Sequence, residues 1–290
     1  MPARNEQAFI TTTLDAIVAQ TILPYRLVVV DDGSTDRTAE IVAAYIKLYS
    51  WISLITLPDL NTYEYGRKII IAFQKGYKQV TGFDFEFVVK LDADLSFSPG
   101  YFENLLNEFQ KDQLLGIASG QTYYRNPREE LVWEDAPLHH TFGPCKMYRC
   151  KCFRDIGGPK PVLGWDHIDE VEARMNGWKT RSYPELKLIH LRKMGSRQGV
   201  LAGYKRHGKA DYLTGYHWLY FFLKSLYRVF SKPYLVGSIA SAVGFFSSMI
   251  KNEKKVVDRS FEKFYRKEQL MHLFNSKFWK LYFQKFKSSV

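Results

Sequence analysis

The chain has 290 residues, of which 46% are hydrophobic and 16% aromatic, enough for a full core in one large domain or one domain with an appendage. The formal net charge is +11, but residues 251–290 alone hold 11 Lys+Arg and 4 Asp+Glu. This concentration argues against a globally basic nucleic-acid binder and favours an anionic surface as a partner. The three cysteines are too few, and odd in number, for a disulfide framework, so we expect a reducing compartment.

The first hundred residues alternate between predicted helices and strands. Leu14, Ile17 and Val18 share one face of a helix over residues 11–21, and residues 26–30 form an apolar strand typical of a buried parallel sheet. Four more elements follow, over residues 37–49 (helix, with Ile41, Tyr45 and Leu48 inward), 52–57 (strand), 66–80 (helix) and 85–91 (strand). This alternation predicts right-handed β-α-β units and a mostly parallel sheet.

The next hundred residues continue the mixed pattern. The predicted elements are a helix over 101–109, a strand over 115–124, a loop over 125–140, an extended segment over 143–153, a helix over 166–176 and a strand over 186–189. The last strand ends at His190.

From residue 203 the chain changes character. Residues 216–230 predict an aromatic helix, and residues 233–250 carry no charge. One helical face of this second run holds only small residues, a pattern that permits close contact between helices: Gly237, Ser241, Gly244 and Ser248. An interfacial or re-entrant hairpin is the preferred interpretation, with a membrane span and a soluble helical subdomain as alternatives. The basic, aromatic tail predicts peripheral binding to an anionic membrane.

Carboxylates follow the predicted strands. Asp92 and Asp94 come directly after the strand at 85–91, and side chains at i and i+2 of an extended chain point the same way. Two converging carboxylates suit a divalent cation, although a bare Asp-x-Asp is also compatible with a solvated acidic turn. Asp31 and Asp32 end another strand, and ligands of open α/β sheets bind at such carboxyl ends.

The chain resembles the family 2 glycosyltransferases, which have the GT-A fold, over residues 2–195. The matching segments are Pro-Ala-Arg-Asn-Glu at 2–6, Val-Val-Asp-Asp-Gly-Ser-Thr-Asp at 29–36, Lys-Leu-Asp-Ala-Asp at 90–94, Gly157-Gly158, Gly164-Trp165-Asp166 with Gly177-Trp178, and His190. The combination is specific, although each segment alone is weak. The resemblance implies transfer of a sugar from a nucleotide-sugar donor with inversion at the anomeric carbon.

The resemblance also implies roles for individual residues. Those implied to bind the nucleotide-sugar are Pro2, Ala3, Glu6, Asp31 or Asp32, Arg67 or Lys68, Asp92 and Ala93. Asp94 is the implied ligand of a Mg²⁺ or Mn²⁺ ion, with Asp92 and His190 beside it. The ion neutralises the diphosphate leaving group.

The sequence departs from the family in two places. The general base normally lies in a Glu-Asp pair at a helix start, but here Trp165 precedes Asp166. Counting back from Gly177 favours Asp166 as the base, with Asp169 as the second candidate. The family also has an apolar strand before its Pro-Ala-Arg-Asn-Glu segment. We therefore expect the first strand to be missing, with ladder groups left unpaired, through a start codon placed too late or a trimmed sequence.

These observations predict a GT-A domain over residues 1–202, with a nucleotide-binding half (1–100) and an acceptor half (101–202), and a membrane-associating extension over 203–290. The predicted enzyme is metal-dependent, acts on a glycan or lipid-linked acceptor at the cytoplasmic face of the cell membrane, and binds no nucleic acid. One alternative is a catalytically silent nucleotide-sugar-binding or scaffold subunit. Another is a nucleotidyltransferase, but the Gly-rich, Arg/Lys-bearing loop that it needs is lacking.

Overall fold

A computed structural model describes residues 1–59, 66–126, 128–133, 136–192, 199–228 and 234–274. The chain divides into two compact units, Met1–Lys193 and Met194–Val290.

The first unit is a mixed α/β structure, which confirms the predicted class. Its elements in chain order are β1 (Pro2–Ala3), α1 (Ile10–Val18), β2 (Leu27–Asp31), α2 (Thr38–Leu48), β3 (Ile52–Thr56), α3 (Arg67–Lys78), β4 (Phe87–Leu91), β5 (Leu95–Phe97), α4 (Tyr101–Lys111), β6 (Leu115–Arg125), β7 (Leu131–Trp133), β8 (Cys145–Arg149), α5 (Cys150–Asp155), α6 (Trp165–Met175) and β9 (Lys179–His190).

The strands form two sheets. In the first, β1, β2 and β3 are parallel neighbours. In the second, the order is β4-β8-β6-β9-β5 with β7 beside β6, and only β6 and β9 pair in parallel. The mostly parallel arrangement therefore holds for the first sheet and is wrong for the second. Strands joined by crossover helices run parallel, whereas β7 and β8 follow β6 without a helix between them.

The Pro-Ala-Arg-Asn-Glu segment itself begins with the two-residue strand β1, which pairs with β2. The Met1 amine donates to the Val28 carbonyl at 2.8 Å, and the Val30 amide donates to the Met1 carbonyl at 2.9 Å. The Asp32 amide donates to the Ala3 carbonyl at 2.9 Å. These three bonds pair the edge of β2 that was expected to lack partners.

Two local predictions need correction. Leu48 is 75% exposed, because the buried face of α2 is formed by Thr38 and Val42, earlier in the helix. The segment 143–153 is not extended throughout, since it turns into α5 at Cys150. The buried positions Cys152, Phe153 and Ile156 have helical rather than strand spacing.

The second unit is helical. Its helices are α7 (Val200–Leu213), α8 (Trp218–Arg228), α9 (Tyr234–Ile250) and α10 (Arg259–Phe274). A Cβ atom added to Gly244 would lie 1.9 Å from the Lys205 carbonyl oxygen, and one added to Gly208 would lie 1.8 Å from the Ser241 carbonyl oxygen. The predicted close contact between helices is thus confirmed for α7 and α9. Within the described ranges, no helix has both the length and the hydropathy required to cross a membrane.

Candidate active site

The carboxyl end of β2 holds the first pair of predicted residues. The Asp31 carboxylate is buried and accepts a hydrogen bond at 3.0 Å from the Ser34 amide. Asp32 is only partly buried. Burial raises the pKa of Asp32, although the nearby Lys68 and Arg4 charges lower it. Asp32 is therefore the more accessible of the two carboxylates.

The segment 2–6 lies beside this strand end. Arg4 donates to the Asp32 carbonyl at 2.7 Å and pairs with Asp59 at 2.9 Å. Asn5 has a positive φ of 53° and accepts a hydrogen bond from the Thr35 amide at 2.8 Å. The Asn5 side chain thus connects the segment 2–6 to the loop after β2. Pro2 and Ala3 lie next to β2 in the sheet.

The start of α3 carries two predicted basic residues. Arg67 is exposed and Lys68 is partly buried. Lys68 is close enough to Asp32 to lower the pKa of that carboxyl. A Cβ atom added to Gly66 would lie 3.6 Å from the Trp165 ring, so the helix start also lies against the segment that leads into α6.

Asp92 follows β4 and is paired with a lysine that the sequence analysis did not single out. Lys90, 1% exposed, donates to the Asp92 carboxylate at 2.5 Å and to the Gly143 carbonyl at 2.8 Å. Burial raises the pKa of Asp92, with the Lys90 charge acting against it and the Asp94 charge adding to it. The two aspartates are therefore close enough to influence each other, and Asp92 lies next to the buried Lys90 cation. Ala93 between them is buried.

Asp94 contacts both His190 and Arg192. His190 Nε2 lies 3.1 Å and Arg192 Nε lies 3.2 Å from the same Asp94 oxygen. Arg192 also pairs with Glu6 and lies over the Phe9 ring. Burial opposes ionisation of Asp94, but the hydrogen bonds and charges of His190 and Arg192 outweigh it and lower the pKa of Asp94.

Within the described ranges, no three His, Cys, Asp or Glu side chains are close enough to hold a metal ion by themselves. Mg²⁺ usually takes one or two protein carboxylates and fills its other positions with water and substrate phosphates. The Asp94–His190 pair, with Asp92 nearby, fits that limited requirement.

The predicted base Asp166 lies in the first turn of α6, after Gly164, which has a φ of 84°. Its side chain is 34% exposed, and His167 Nδ1 lies 3.5 Å from its carboxylate. A Cβ atom added to Gly143 would lie 3.6 Å from the same carboxylate. Since Lys90 joins Gly143 to Asp92, the Asp166 and Asp92 carboxylates belong to one contiguous site.

Asp166 is ionised at neutral pH. Burial raises the pKa of Asp166. The hydrogen bond and charge of His167, together with the Lys146 and His140 charges, outweigh burial, so the pKa lies below its usual value. An ionised, partly exposed carboxylate is able to accept a proton from a neighbouring hydroxyl group.

The second candidate, Asp169, has a different environment. It is 1% exposed, pairs with the buried Lys146 at 2.8 Å and accepts a hydrogen bond from Tyr148. Its neighbour Glu170 accepts hydrogen bonds from the Thr141 amide at 2.6 Å and hydroxyl at 2.7 Å. Asp169 and Glu170 are thus buried and hydrogen-bonded inside the protein, whereas the Asp166 side chain is partly exposed.

The buried Lys146 supports Asp166 indirectly. Besides pairing with Asp169 and Glu170, it donates to the Asp166 carbonyl. The Trp165 ring has Lys90 Nζ 5.0 Å and Lys146 Nζ 5.4 Å from its centre. These contacts fix the first turn of α6 against β4 and β8.

Several of these residues were missed in the sequence. Lys90 and Lys146 lie inside the strands β4 and β8, and the residue pattern around them does not predict which carboxylates they pair with. Arg192 lies two residues after His190, which places it beside Asp94 only because β9 pairs with β5.

A sequence model described as Glycosyl transferase family 2 matches residues 1–157. The 4,4'-diaponeurosporenoate glycosyltransferase of Staphylococcus aureus is 30% identical over 204 residues, which cover 63% of this chain and 51% of that protein. The chain thus spans about half the length of the curated relatives it matches.

Solved structures share the fold. The mannosyltransferase PcManGT from Pyrobaculum calidifontis, in complex with GDP-Man and Mn²⁺, superposes with a TM-score of 0.54 at 14% identity, covering 98% of this chain and 82% of that one. TarS 1–349 of S. aureus, in complex with UDP-GlcNAc, gives 0.51 at 18% identity, with 72% and 64% covered. The predicted GT-A fold is therefore confirmed.

Proposed function

This chain belongs to glycosyl transferase family 2, and we propose that it moves a sugar from a nucleotide-diphospho-sugar to a hydroxyl group, with inversion at the anomeric carbon. The observation that carries the proposal is the partly exposed, ionised Asp166 carboxylate next to Gly143, whose carbonyl is joined through Lys90 to Asp92. A candidate base and a candidate donor site thereby share one surface.

The donor site is proposed at the carboxyl ends of β2 and β4. Asp32 and Lys68 face each other there and suit the hydroxyl and phosphate groups of a nucleotide. Further proposed contacts are Pro2, Ala3, Glu6, Asp31, Arg67, Asp92 and Ala93. The solved relatives with GDP-Man and with UDP-GlcNAc bind donors of this class.

Asp94 and His190 are the proposed protein ligands of Mg²⁺ or Mn²⁺, with Asp92 beside them. When bound, such an ion supplies positive charge against the departing diphosphate. Arg192 shares the Asp94 oxygen with His190, so it would leave that oxygen when an ion binds.

In the proposed reaction the acceptor hydroxyl lies against Asp166. Asp166 takes the hydroxyl proton while the acceptor oxygen forms a bond to the anomeric carbon. The bond from that carbon to the diphosphate breaks on the opposite face, which inverts the configuration, and the nucleoside diphosphate keeps the electron pair. His167 and the Lys146 contact hold the Asp166 carboxylate toward the acceptor.

The acceptor is proposed to be a glycan or lipid-linked glycan at the cytoplasmic face of the cell membrane. In this assignment residues 1–202 carry the transfer reaction, with donor and acceptor halves at 1–100 and 101–202, and residues 203–290 associate with the membrane.

A panel of nucleotide-sugars with Mn²⁺ tests the proposal. Release of nucleoside diphosphate together with a glycosylated acceptor is the expected result, and Asp94→Asn should remove both Mn²⁺ binding and the Mn²⁺-dependent part of turnover. Donor binding without turnover would instead indicate a silent nucleotide-sugar-binding subunit. Release of pyrophosphate would indicate nucleotidyl transfer.

A further inference from the structure

Helix α9 buries its small side chains and exposes its large ones. Apart from Phe245, its buried positions are Gly237, Ser238, Ser241, Gly244 and Ser248. Its exposed positions are Leu235, Val236, Ile239, Val243, Phe246, Met249 and Ile250, between 39% and 81% exposed. A helix on the surface of a water-soluble domain has the opposite arrangement, with its large apolar side chains toward the core.

The orientation of α9 is fixed by its contact with α7. A Cβ atom at Gly208 or Gly244 would lie less than 2 Å from a carbonyl oxygen of the other helix, so the two backbones touch. Rotation of α9 would bring a large side chain into this contact. The exposed apolar face of α9 therefore cannot pack against α7.

Helix α8 lies beside α9 and extends the apolar surface. The Ser238 hydroxyl donates to the Ser225 carbonyl at 3.1 Å, and the Phe221 and Phe245 rings stack at 4.1 Å. The exposed side chains of α8 recur every four residues on one face: Trp218, Phe222 and Leu226, at 62%, 51% and 42% exposure. We call these three residues and the exposed residues of α9 the outer strips.

The chemistry of the outer strips favours a lipid surface over a protein. Every exposed position of α9 is apolar, whereas protein interfaces carry about one hydrogen bond per 100–200 Å². Lys251 and Lys254, both exposed, directly follow α9. Residues 194–290 hold 18 Lys+Arg and 5 Asp+Glu, a composition that attracts anionic headgroups.

We propose that the outer strips bind an anionic membrane, with α8 and α9 parallel to its plane and the exposed side chains in the boundary between headgroups and acyl chains. Because α7 covers one side of α9 and carries Lys205, Arg206 and Lys209, only the opposite side of α9 meets lipid. Apolar insertion and cationic attraction together give stable peripheral binding. The outer strips belong to the second unit, and this proposal does not rest on the transfer chemistry.

Flotation of the full chain with vesicles tests the proposal. The probes are vesicles of phosphatidylcholine alone and of phosphatidylcholine with about 30% phosphatidylglycerol, a fraction typical of anionic leaflet models. The wild type should float with the mixed vesicles, and high salt should weaken but not abolish binding. Ile239→Glu with Phe246→Glu should lower the partition coefficient roughly tenfold or more, because two apolar side chains leave the interface.

Leu23→Glu with Leu48→Glu is the matched control, since both leucines are exposed in the first unit, at 49% and 75%. It adds the same negative charge and should float like the wild type. Thermal unfolding and nucleotide-sugar binding of all three proteins establish that folding and the donor site are intact. These readouts separate failure of this proposal from failure of the transferase proposal.

Equal flotation of the outer-strip variant and the wild type would overturn the proposal, as would equal losses in the variant and its control. Absence of flotation combined with a wild-type dimer that the outer-strip variant turns into a monomer would reassign the surface to a second copy of the chain. A version ending at Phe274 should keep the Ile239/Phe246 dependence. Its loss there would place the binding in the tail.

Discussion

The two units differ in which side chains they bury and which they expose. The first unit covers two sheets with helices and hides its charged site groups: Lys90, Lys146 and Asp169 are each at most 1% exposed. In the second unit, helix α9 buries mainly serines and glycines, and the unit holds 13 of the 23 large hydrophobic side chains that are exposed among the described residues. The first unit therefore buries charged groups, and the second unit exposes apolar ones.

Charge follows the same division. Residues 1–193 hold 23 Lys+Arg and 25 Asp+Glu, whereas residues 194–290 hold 18 and 5. The acidic groups of the proposed donor, metal and base sites lie in the first unit. The cationic excess lies where an anionic surface is proposed. Each difference predicts that mutations in one unit leave the function of the other intact.

The largest expected effect is on turnover. Asp166→Asn should lower kcat by about 10²–10⁴-fold, the usual contribution of a general base, and leave donor binding and membrane binding unchanged. Steady-state kinetics together with a donor-binding titration measure this. Asp84→Asn, the same change at an exposed residue of the first unit, should have no effect. If Asp169→Asn alone reproduces the kinetic loss, the base is assigned to the wrong carboxylate.

The next largest effect is on stability of the first unit. Lys146→Met leaves the buried Asp169 carboxylate without its cation, which should cost about 3–5 kcal/mol in the free energy of unfolding. Urea unfolding measures the loss. Lys47→Met, at an exposed position, should stay within about 0.5 kcal/mol of the wild type.

The same variant has a predicted pH dependence. Burial already raises the pKa of Asp169 to about 6, against the lowering effect of Lys146 and with the raising effect of Glu170. Removing Lys146 raises it further. A carboxyl group with a higher pKa in the folded state binds its proton more tightly there, so stability falls as pH rises above its unfolded value of about 3.8. Lys146→Met should therefore be less destabilised at pH 5 than at pH 8, and an equal loss at both would contradict the buried pairing.

A smaller effect is expected from the helix contact in the second unit. Gly244→Ala places a methyl group 1.9 Å from the Lys205 carbonyl oxygen and should cost about 1–3 kcal/mol through forced separation of α7 and α9. Hydrogen exchange of the α9 amides measures it. Gly203→Ala has open space around the added Cβ and should be neutral or stabilising by up to about 1 kcal/mol. Unchanged or slower exchange in Gly244→Ala would contradict the close contact between α7 and α9, because the gain in helix propensity would then not be offset by a steric cost.

The sequence predicted the parts of the molecule that local pattern controls. The alternation around β2, β3 and α3, the carboxylates after β2 and β4, and the small-residue face of α9 all follow from periodicity and side-chain size. It could not place Lys90, Lys146 or Arg192, because their roles depend on strand pairing between distant segments. The antiparallel pairs of the second sheet were missed for the same reason, since β8 pairs with β4 and β6, and β9 with β5, through contacts between distant segments.

The choice between Asp166 and Asp169 shows the limit clearly. Both lie in the first half of one helix, and spacing along the chain favours Asp166 only through resemblance. The physical difference is that Asp169 is enclosed by Lys146 and Tyr148, while Asp166 lies at the helix start beside Gly143. This difference depends on β8, because Lys146 and Tyr148 lie in that strand and reach Asp169 only when it is folded beside α6.

The smallest expected effect is also the sharpest test of the contrast between the units. Ile239→Ser removes a large side chain that is 52% exposed, so it should change the free energy of unfolding in membrane-free solution by no more than about 0.5 kcal/mol. The same change at Ile70, which is fully buried in α3, removes core volume and buries a hydroxyl group, and should cost about 3–5 kcal/mol. Local hydrogen exchange in α9 and in α3 compares the two. A cost above about 2 kcal/mol at Ile239 would mean that this side chain is covered within the folded chain. The outer strips would then be part of a core, and the second unit would follow the same rule of burial as the first.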